Sequence, residues 1–413
     1  MSEPIEASGT QHDCDAAVVG AGPAGLAAAL ALAHVGADVA LIGPPPPKAG
    51  AAAETRTAAL LVSSVDLLKA LKVFDRLAAE AAPLKAIRII DVSRSLIRAP
   101  DIEFRASELG LPAFGYNISN TALIGALYER ARETLHKIIP SSVERISVED
   151  GQAVLDCADG SRVAARLVAA ADGRRSLCRE EAGIEVSEWR YDQGAIASSF
   201  RHSRGHDGVA IELHREGASL TTVPLPDPRA SALILVGSAS DIASLMEHDE
   251  ERFADALADR LDGLLGQIEG VGPRSSFPVA GLTAKSLAAR RIALVGEAGH
   301  ILPPIGAQGL NLGLRDAAAL TDCVAEALAR GADPGGDEVL QAYMNARRLD
   351  VLSRAVGVDL LNRSLLTSFV PLQAARGIVL HGLNVLPPLR RMVMRVGLEP
   401  PSALPSLMRG AET

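Results

Sequence analysis

Cysteine is scarce in this chain and badly placed for pairing. There are four, Cys14, Cys157, Cys178 and Cys323, far apart and with no Cys-x-x-Cys. That spacing argues against a dithiol redox centre and a cysteine-held metal, so no metal is expected, and it fits a reducing compartment. Grouped cations are also lacking. The net charge is −9 with no basic stripe, which argues against nucleic acid as a partner, since phosphate binding needs clustered Lys and Arg. No uninterrupted apolar run reaches the roughly 18 residues of a spanning helix. The first residues are polar and acidic, unlike a secretory signal. A cytoplasmic location is the expectation. Aromatic residues make up only 3%, so Ala, Leu, Val and Ile must do the packing. At 413 residues the chain has room for two to three domains, or one large domain carrying an insertion. No internal repeat occurs, and Pro44-Pro45-Pro46-Pro47 is the one low-complexity piece, expected to be extended.

What is present begins with Asp15-Ala16-Ala17-Val18-Val19-Gly20-Ala21-Gly22-Pro23-Ala24-Gly25-Leu26. A short apolar run enters Gly20-x-Gly22-x-x-Gly25, and an Ala/Leu-rich segment reading as a helix follows to about Ala33. Strand, glycine turn and helix start in this order make a dinucleotide-binding βαβ unit. Gly20 permits the tight turn, Gly22 lets the backbone approach a pyrophosphate, and Gly25 lets helix and strand pack closely. Ala21 and Ala24 lie in the same turn. Pro23 suits the first helical turn, where its missing N–H costs nothing. The first helical N–H groups lack partners within the helix and face the phosphates. A second strand, residues 37–42, arrives at the right distance. It ends in Ile42-Gly43-Pro44, without the acid that usually binds the ribose. Glu54 is the nearest replacement, and a solvated loop role is its simpler reading.

Residues 54–60 are expected to open a helix running to about Leu71. An arginine at a helix start opposes the dipole, so an anionic or ribose contact is expected for Arg56. Residues 84–105 read as β structure. Residues 116–132 pass from a strand end into an amphipathic helix, with Asn120 and Thr121 where its cap belongs. A hairpin turns at Asp159-Gly160. Residues 167–171 read as a buried strand that runs into Asp172-Gly173-Arg174-Arg175-Ser176-Leu177-Cys178-Arg179 and a helix. Ala-Asp-Gly occurs at both 158–160 and 171–173. Only the second copy ends an apolar strand, so the first is a plain turn. Cys178 reads as a small buried filler. From about 188 to 278 short β runs dominate (194–200, 209–213, 219–224 and 232–237), then one helical block over 250–265. This reads as an inserted sheet domain. At Arg291 the βαβ grammar returns. A strand leads into Gly296-Glu297-Ala298-Gly299-His300, then a loop through Pro304 and Gly306-Ala307-Gln308-Gly309, then a helix over about 310–329. The start of that helix should face something anionic or carbonyl-rich. His300 reads as packing or capping this loop rather than as a catalytic base.

Three motifs thus stand in order: Gly20-x-Gly22-x-x-Gly25, Asp172-Gly173-x-x-Ser176-x-x-Arg179, and Gly296-Glu297-Ala298-x-His300-x-x-x-Pro304-x-x-x-Gln308-Gly309-x-Asn311. Together they resemble the single-component FAD-dependent aromatic hydroxylases, the p-hydroxybenzoate-hydroxylase-like group A flavoprotein monooxygenases. The run 300–316, Asn120-Thr121-Ala122-Leu123, Glu54-Thr55-Arg56 and a tail with Asp359-Leu360, Phe369-Val370-Pro371-Leu372, Arg376 and Pro387 resemble the ubiquinone-biosynthesis branch. The likeness covers nearly the whole chain. It implies an α/β fold with a discontinuous Rossmann-like FAD-binding domain (1–75, 115–187 and 285–345). It further implies an inserted antiparallel-sheet substrate domain (76–114 and 188–284) and a helical C-terminal region (346–413). It implies FAD, tightly but non-covalently bound, and NAD(P)H as a transient electron donor without a fold of its own. Gly20, Gly22 and Gly25 would hold the pyrophosphate region, and Arg56 and Asn120 match positions that touch the cofactor. Asp172 and Gly173 match the motif tied to both FAD and the donor. Glu297 stands where the family has Asp or Asn on the ribityl chain, and Gly306 to Asn311 would line the flavin ring. The implied reaction is O2-dependent hydroxylation of an electron-rich ring on a polyprenylated phenol or quinone precursor of ubiquinone. The chemistry belongs to the cofactor, and no residue is assigned as acid or base.

Two departures stand out. Gly43 leaves out a charged hydrogen bond of roughly 1.5–3 kcal/mol, and Glu297 is one methylene longer than Asp. Other functions therefore stay open: a flavin-dependent reductase or cyclase on an isoprenoid substrate, or a non-catalytic flavin-fold subunit of a quinone-biosynthesis complex. A flavin halogenase is disfavoured because Trp189 is the single tryptophan, and a disulfide reductase because no paired cysteines follow the first fingerprint. Residues 356–366 and 378–389 carry apolar faces at helical spacing, interleaved with Arg376, Arg390, Arg391 and Arg395. A helical cap on the FAD domain fits them, and so does a peripheral contact with the inner membrane or a quinone-biosynthesis complex.

Overall fold

A computed structural model describes residues 11–46, 55–92, 101–215, 217–366, 386–400 and 403–410. Its eight-stranded sheet runs Ala288–Ala289 (β18), Ile292–Leu294 (β19), Arg162–Ala170 (β11), Gln11–Val19 (β1), Val39–Ile42 (β2) and Lys137–Ile139 (β8). Gln152–Cys157 (β10) and Val143–Glu149 (β9) extend it antiparallel from β11. From β19 to β8 the pairing is parallel. Ala16, Ala17 and Val18 of β1 are fully buried, as a central parallel strand covered on both faces requires. Helix α1, Pro23–His34, is buried at every position from Gly25 to Leu32. A helix apolar all round is an interior helix, and its alanines let it lie close to α3, Asn120–Thr134, and α7, Gln308–Ala329.

The second sheet has nine strands. Its order is His300–Ile301 (β20), Ser275–Ala284 (β17), Val186–His202 (β12), Ala230–Ser238 (β15), Ala218–Pro224 (β14), Val209–Arg215 (β13), Ala86–Asp91 (β5) and Ile102–Arg105 (β6), with Ile268–Val271 (β16) on β12. It is antiparallel except where β5 runs parallel to β13, and that pairing brings 86–105 and 186–284 into one sheet. Helices α5, Ala239–Glu247, and α6, Glu250–Leu261, pack Ile242, Leu245, Phe253 and Leu257 on Ile196, Phe200 and Leu233. A small third sheet joins Thr57–Leu61 (β3), Gly115–Ser119 (β7) and Ala82–Pro83 (β4). The chain closes with α8, Asp337–Leu366, and α9, Pro387–Leu398. The fold is α/β, with a Rossmann-like parallel sheet, an antiparallel sheet and C-terminal helices. Among the described residues no helix is long and apolar enough to cross a membrane.

Several local expectations are corrected. Residues 57–61 are a strand, and helix α2 begins only at Val62, spanning Val62–Ala70. Ala and Leu there favour helix, but the ladder with β7, from Thr57 opposite Ser119 to Leu61 opposite Gly115, takes the backbone first. Arg56 therefore enters a strand rather than a helix, and the dipole argument does not apply to it. Helix α3 is capped by Ser119, whose hydroxyl accepts the Ala122 N–H at 3.2 Å, and Asn120 is the first helical residue. Helix α5 was not anticipated, and the strand expected at 194–200 spans Val186–His202. Cys178 is fully buried, as expected, and burial pushes its thiol well above its ordinary range. Glu54, Phe369–Leu372 by number 369–372, Arg376 and residues 378–385 lie outside the described residues.

Candidate functional site

The three motifs, remote in sequence, meet in space. Gly20 has φ 112°, and a Cβ there would sit 2.2 Å from the Ala171 carbonyl oxygen, beside Asp172. A Cβ on Gly25 would sit 1.9 Å from the Gly20 oxygen. A Cβ on Gly296 would sit 3.3 Å from the Ala24 Cβ, and one on Gly313 of α7 would lie 3.0 Å from the Gly296 Cα. The first turn of α1 and the second turn of α7 therefore both abut Gly296. Arg179 adds a tie between motifs: its buried guanidinium donates to the Ala298 oxygen at 2.9 Å and the Arg174 oxygen at 3.1 Å.

Two helix starts at this junction are left open. Helices α3, α5 and α6 are capped by Ser119, Ser238 and Asp249, and α4, Leu177–Glu181, by Ser176. Helix α1 starts on Gly22 and α7 on Ala307, each without a side-chain cap or an acid in its first turn. Cβ atoms placed on Gly22, Gly173 or Gly309 would meet nothing within 4 Å. Ala307 is held left-handed at φ 54°, a conformation that costs a non-glycine residue about 1 kcal/mol. The side-chain oxygen of Gln308 is buried without a partner, while its amide donates to the Gly306 oxygen at 3.0 Å. Open space over uncapped N–H groups is what a dinucleotide's phosphates and a flavin's carbonyl edge require, so these residues fit FAD.

The other expected residues divide by what they touch. Ala21, Pro23 and Ala24 are half-buried in the first turn, and Pro304, Gly306 and Ala307 form the loop before α7. Arg56 and Asn120 are brought together: the Asn120 N–H donates to the Arg56 oxygen at 3.1 Å. Glu297 is exposed on a short 3-10 turn, Gly296–Ala298. Asp172 accepts the Ser176 hydroxyl at 2.6 Å and the Cys178 N–H at 3.1 Å, so it fixes the start of α4. Asn311 is buried and its amide is occupied. It accepts the Leu61 N–H at 2.9 Å and donates to the Ala59 and Ala307 oxygens at 2.8 and 2.6 Å. Its side chain therefore ties β3 to α7 instead of lining an open surface. Gly43 has a packing reason: a Cβ there would lie 2.8 Å from the Ala21 nitrogen.

Sequence reasoning missed a buried ionic network under the loop. Asp316 accepts the Gly296 N–H at 3.0 Å, His300 Nε2 lies 2.6 Å away, and Arg347 Nε donates to it at 2.7 Å. Asp350 accepts from Arg347 and from Arg315, both at 2.8 Å. Tyr343 donates its hydroxyl to the Leu294 oxygen at 2.5 Å, at the end of β19. All six side chains are essentially buried. Burial disfavours the ionised form of Asp316, but His300 and Arg347 outweigh it and hold the carboxyl below its ordinary range. The legible signal was Arg315-Asp316 inside the otherwise apolar stretch 312–320 of α7, with Arg347 and Asp350 one turn apart on the next helix. His300 is thus a buried partner of Asp316, in line with the packing role. A cavity of about 420 Å3 opens at Arg174 and Arg175, lined also by Arg179, Arg190, Glu180 and Glu188 among others.

Comparison with known proteins agrees with this geometry. Residues 13–357 match the protein family described as FAD binding domain. The chain is 33% identical over 409 residues to the ubiquinone hydroxylase UbiL of Rhodospirillum rubrum, covering 96% of this chain and 92% of that one. Among solved structures it resembles p-nitrophenol 4-monooxygenase PnpA from Pseudomonas putida, with TM-score 0.75 and 20% identity over 95% of this chain and all of the other. It also resembles the Diels-Alderase PyrE3, with TM-score 0.72 and 20% identity over 95% and 82%. At such identities these two show the fold alone.

Proposed function

The chain belongs to the FAD binding domain family and is an FAD-dependent monooxygenase, and from that premise we propose that it hydroxylates the ring of a polyprenylated phenol or quinone precursor in ubiquinone biosynthesis, with O2 and NAD(P)H. The observation that carries this reading is the junction at Gly296, where the first turn of α1 and the second turn of α7 meet and both helices start without a side-chain cap. Bound FAD would supply the reduction of O2 and the transfer of one oxygen atom to an electron-rich ring. Gly20 to Gly25 and the first N–H groups of α1 would hold its pyrophosphate, with Gly22 leaving the approach open. Arg56, Asn120, Asp172, Gly173 and Glu297 would flank the ribityl and ribose portions. The N–H groups at Gly306 to Gly309 would stabilise negative charge on the ring system. Asn311 and Asp316 would act by holding that loop in place. Arg174, Arg175 and Arg190 of the cavity would receive the phosphates of the nicotinamide donor. The nine-stranded sheet would form the substrate side of the cleft and exclude water from the reacting ring.

The test is oxygen uptake by the purified yellow protein with NADH or NADPH, with and without a polyprenyl phenol, alongside mass spectrometry of quinone intermediates in a deletion strain. Uptake that rises with the phenol, and a strain that accumulates a precursor one hydroxyl short, are expected. Substrate turnover without oxygen uptake would move the protein to the cyclase or reductase reading. Colourless protein inert toward NAD(P)H would indicate a non-catalytic subunit.

A further inference from the structure

Exposed large apolar side chains are concentrated at one place in this molecule. Ten occur among the described residues, and all but Val148 lie on α8 or on and just before α9. On α8 they are Leu349, Leu352, Val356 and Leu360, spaced by three or four residues and so forming one stripe. The other side of α8 is anchored by the Arg347 and Asp350 ion pairs, by a hydrogen bond of Asp359 with the Tyr191 hydroxyl, and by Asn362 donating to Gln193 at 3.1 Å. Helix α9 is seated the same way. Met394 is buried against Ile102 and Phe104, and Arg390 pairs with Glu108 at 2.7 Å and lies 5.0 Å from the Phe104 ring centre. That seating turns Leu389, Met392, Val393 and Val396 outward. Arg354 joins the two helices: its guanidinium donates to the carbonyl oxygens of Val396, Gly397 and Glu399 at 2.9, 3.2 and 2.6 Å. It thereby caps the end of α9 against α8.

Among the described residues of α8 and α9, the exposed charges beside these stripes are arginines. Arg348, Arg391 and Arg395 are exposed. The carboxylates of this part of α8, Asp350 and Asp359, are turned inward, and one exposed acid, Glu399, follows directly after the end of α9. An apolar face that carries three exposed arginines against one exposed carboxylate at its end, among the described residues of this part of α8, of α9 and of the turn after α9, in a chain of net charge −9, complements an anionic lipid surface. We propose that the α8–α9 face docks peripherally on a bilayer containing anionic lipid, its apolar stripes lying at the headgroup boundary. A second copy is the poorer occupant. A two-fold interface would set this patch against itself and face its arginines with arginines. The inference rests on this surface and not on the proposed reaction, so either can fail alone.

The test is co-sedimentation of the FAD-loaded protein with vesicles of phosphatidylglycerol and phosphatidylcholine in equal parts, and with phosphatidylcholine alone. Binding to the mixed vesicles and much weaker binding to the neutral ones are expected. Replacing Arg391→Gln together with Arg395→Gln should weaken binding to the mixed vesicles about 30-fold, at about fivefold per charge. Replacing Leu352→Asp together with Met392→Asp should reduce it by about 100-fold or more. Flavin absorbance and melting temperature should stay at the parent's values in both variants, which separates lost docking from lost folding. Absence of binding to the mixed vesicles, or binding that neither variant changes, overturns the proposal. So does concentration-dependent self-association without lipid that the Leu352→Asp, Met392→Asp protein loses, which would make a second copy the occupant.

Discussion

At Gly20 to Gly25 the backbone is held by the absence of side chains, whereas at Gly296 to Asn311 it is held by their presence. In the first wall, Cβ atoms on Gly20 and Gly25 would lie 2.2 and 1.9 Å from backbone oxygens, and no side-chain bond is needed. In the second, Asp316 grips the Gly296 N–H from below and Asn311 ties the start of α7 to β3. Both walls present unpaired N–H groups to the same junction. At Gly20 and Gly25 the first tolerates nothing larger than hydrogen, while the second should weaken by degrees as members of its network are removed.

Gly25→Ala attacks the first wall and should have the largest effect. The new Cβ meets rigid backbone, and a loss of about 4 kcal/mol or more is expected, read by urea denaturation and by the FAD content of the purified protein. Gly22→Ala sharpens the contrast: open space surrounds the new methyl, so apoprotein stability should hold while FAD affinity falls about tenfold or more. Equal stability loss in both variants would break the distinction between a packing glycine and a ligand-facing one.

Asp316→Ala leaves Arg347 and His300 without their shared buried carboxylate. A loss of about 3 kcal/mol is expected, as for one partner removed from a buried pair. If the variant melts like the parent, the network does not support the second wall. Asn311→Ala strands the buried Leu61 N–H and should cost about 2 kcal/mol, with FAD binding weakened because the start of α7 is no longer tied to β3.

Acid should act on the second wall more than the first. The Asp316 carboxyl is held below its ordinary value, which is about 3.9 in an unfolded chain. Between the two values the unfolded state binds more protons, so this stabilisation is complete above about pH 4 and is lost as pH falls through the lower, folded value. Urea midpoints measured from pH 6 down to pH 3 should show it, and Asp316→Asn should flatten that limb. The smallest effect is expected away from the junction, where Ser119→Ala removes an ordinary helix cap worth about 1 kcal/mol. Thermal melts of that variant should fall slightly with FAD affinity unchanged.

The first wall could be read in the sequence because its constraint is local. Gly20, Gly22 and Gly25 act within one turn: Gly20 takes φ 112° and Gly25 lies against the Gly20 oxygen, so their spacing shows in the sequence even though the Ala171 oxygen that also crowds Gly20 does not. The Ala-Asp-Gly pair was separable for the same reason, since only Asp172-Gly173 ends an apolar run. The second wall was read only in outline. His300, Gln308 and Asn311 stood out as residues, but their partners lie on β3, α7 and α8. Asn311 was expected to line the flavin ring, and its amide is spent on Ala59 and Leu61, 250 or more residues away. Residues 57–61 were misread because Ala and Leu favour helix until a partner strand supplies a ladder.

The sequence alone determined the βαβ unit, the order of the three motifs and the family likeness, since these rest on residue type and short spacing. Tertiary structure alone decided which charges are buried together. Arg315, Asp316, Arg347 and Asp350 read as two unrelated pairs along the chain, and they become one network only when α7 and α8 pack side by side. It likewise decided that Arg348, Arg391, Arg395 and the apolar stripes of α8 and α9 face outward, because an outer face exists only once the inner one is anchored.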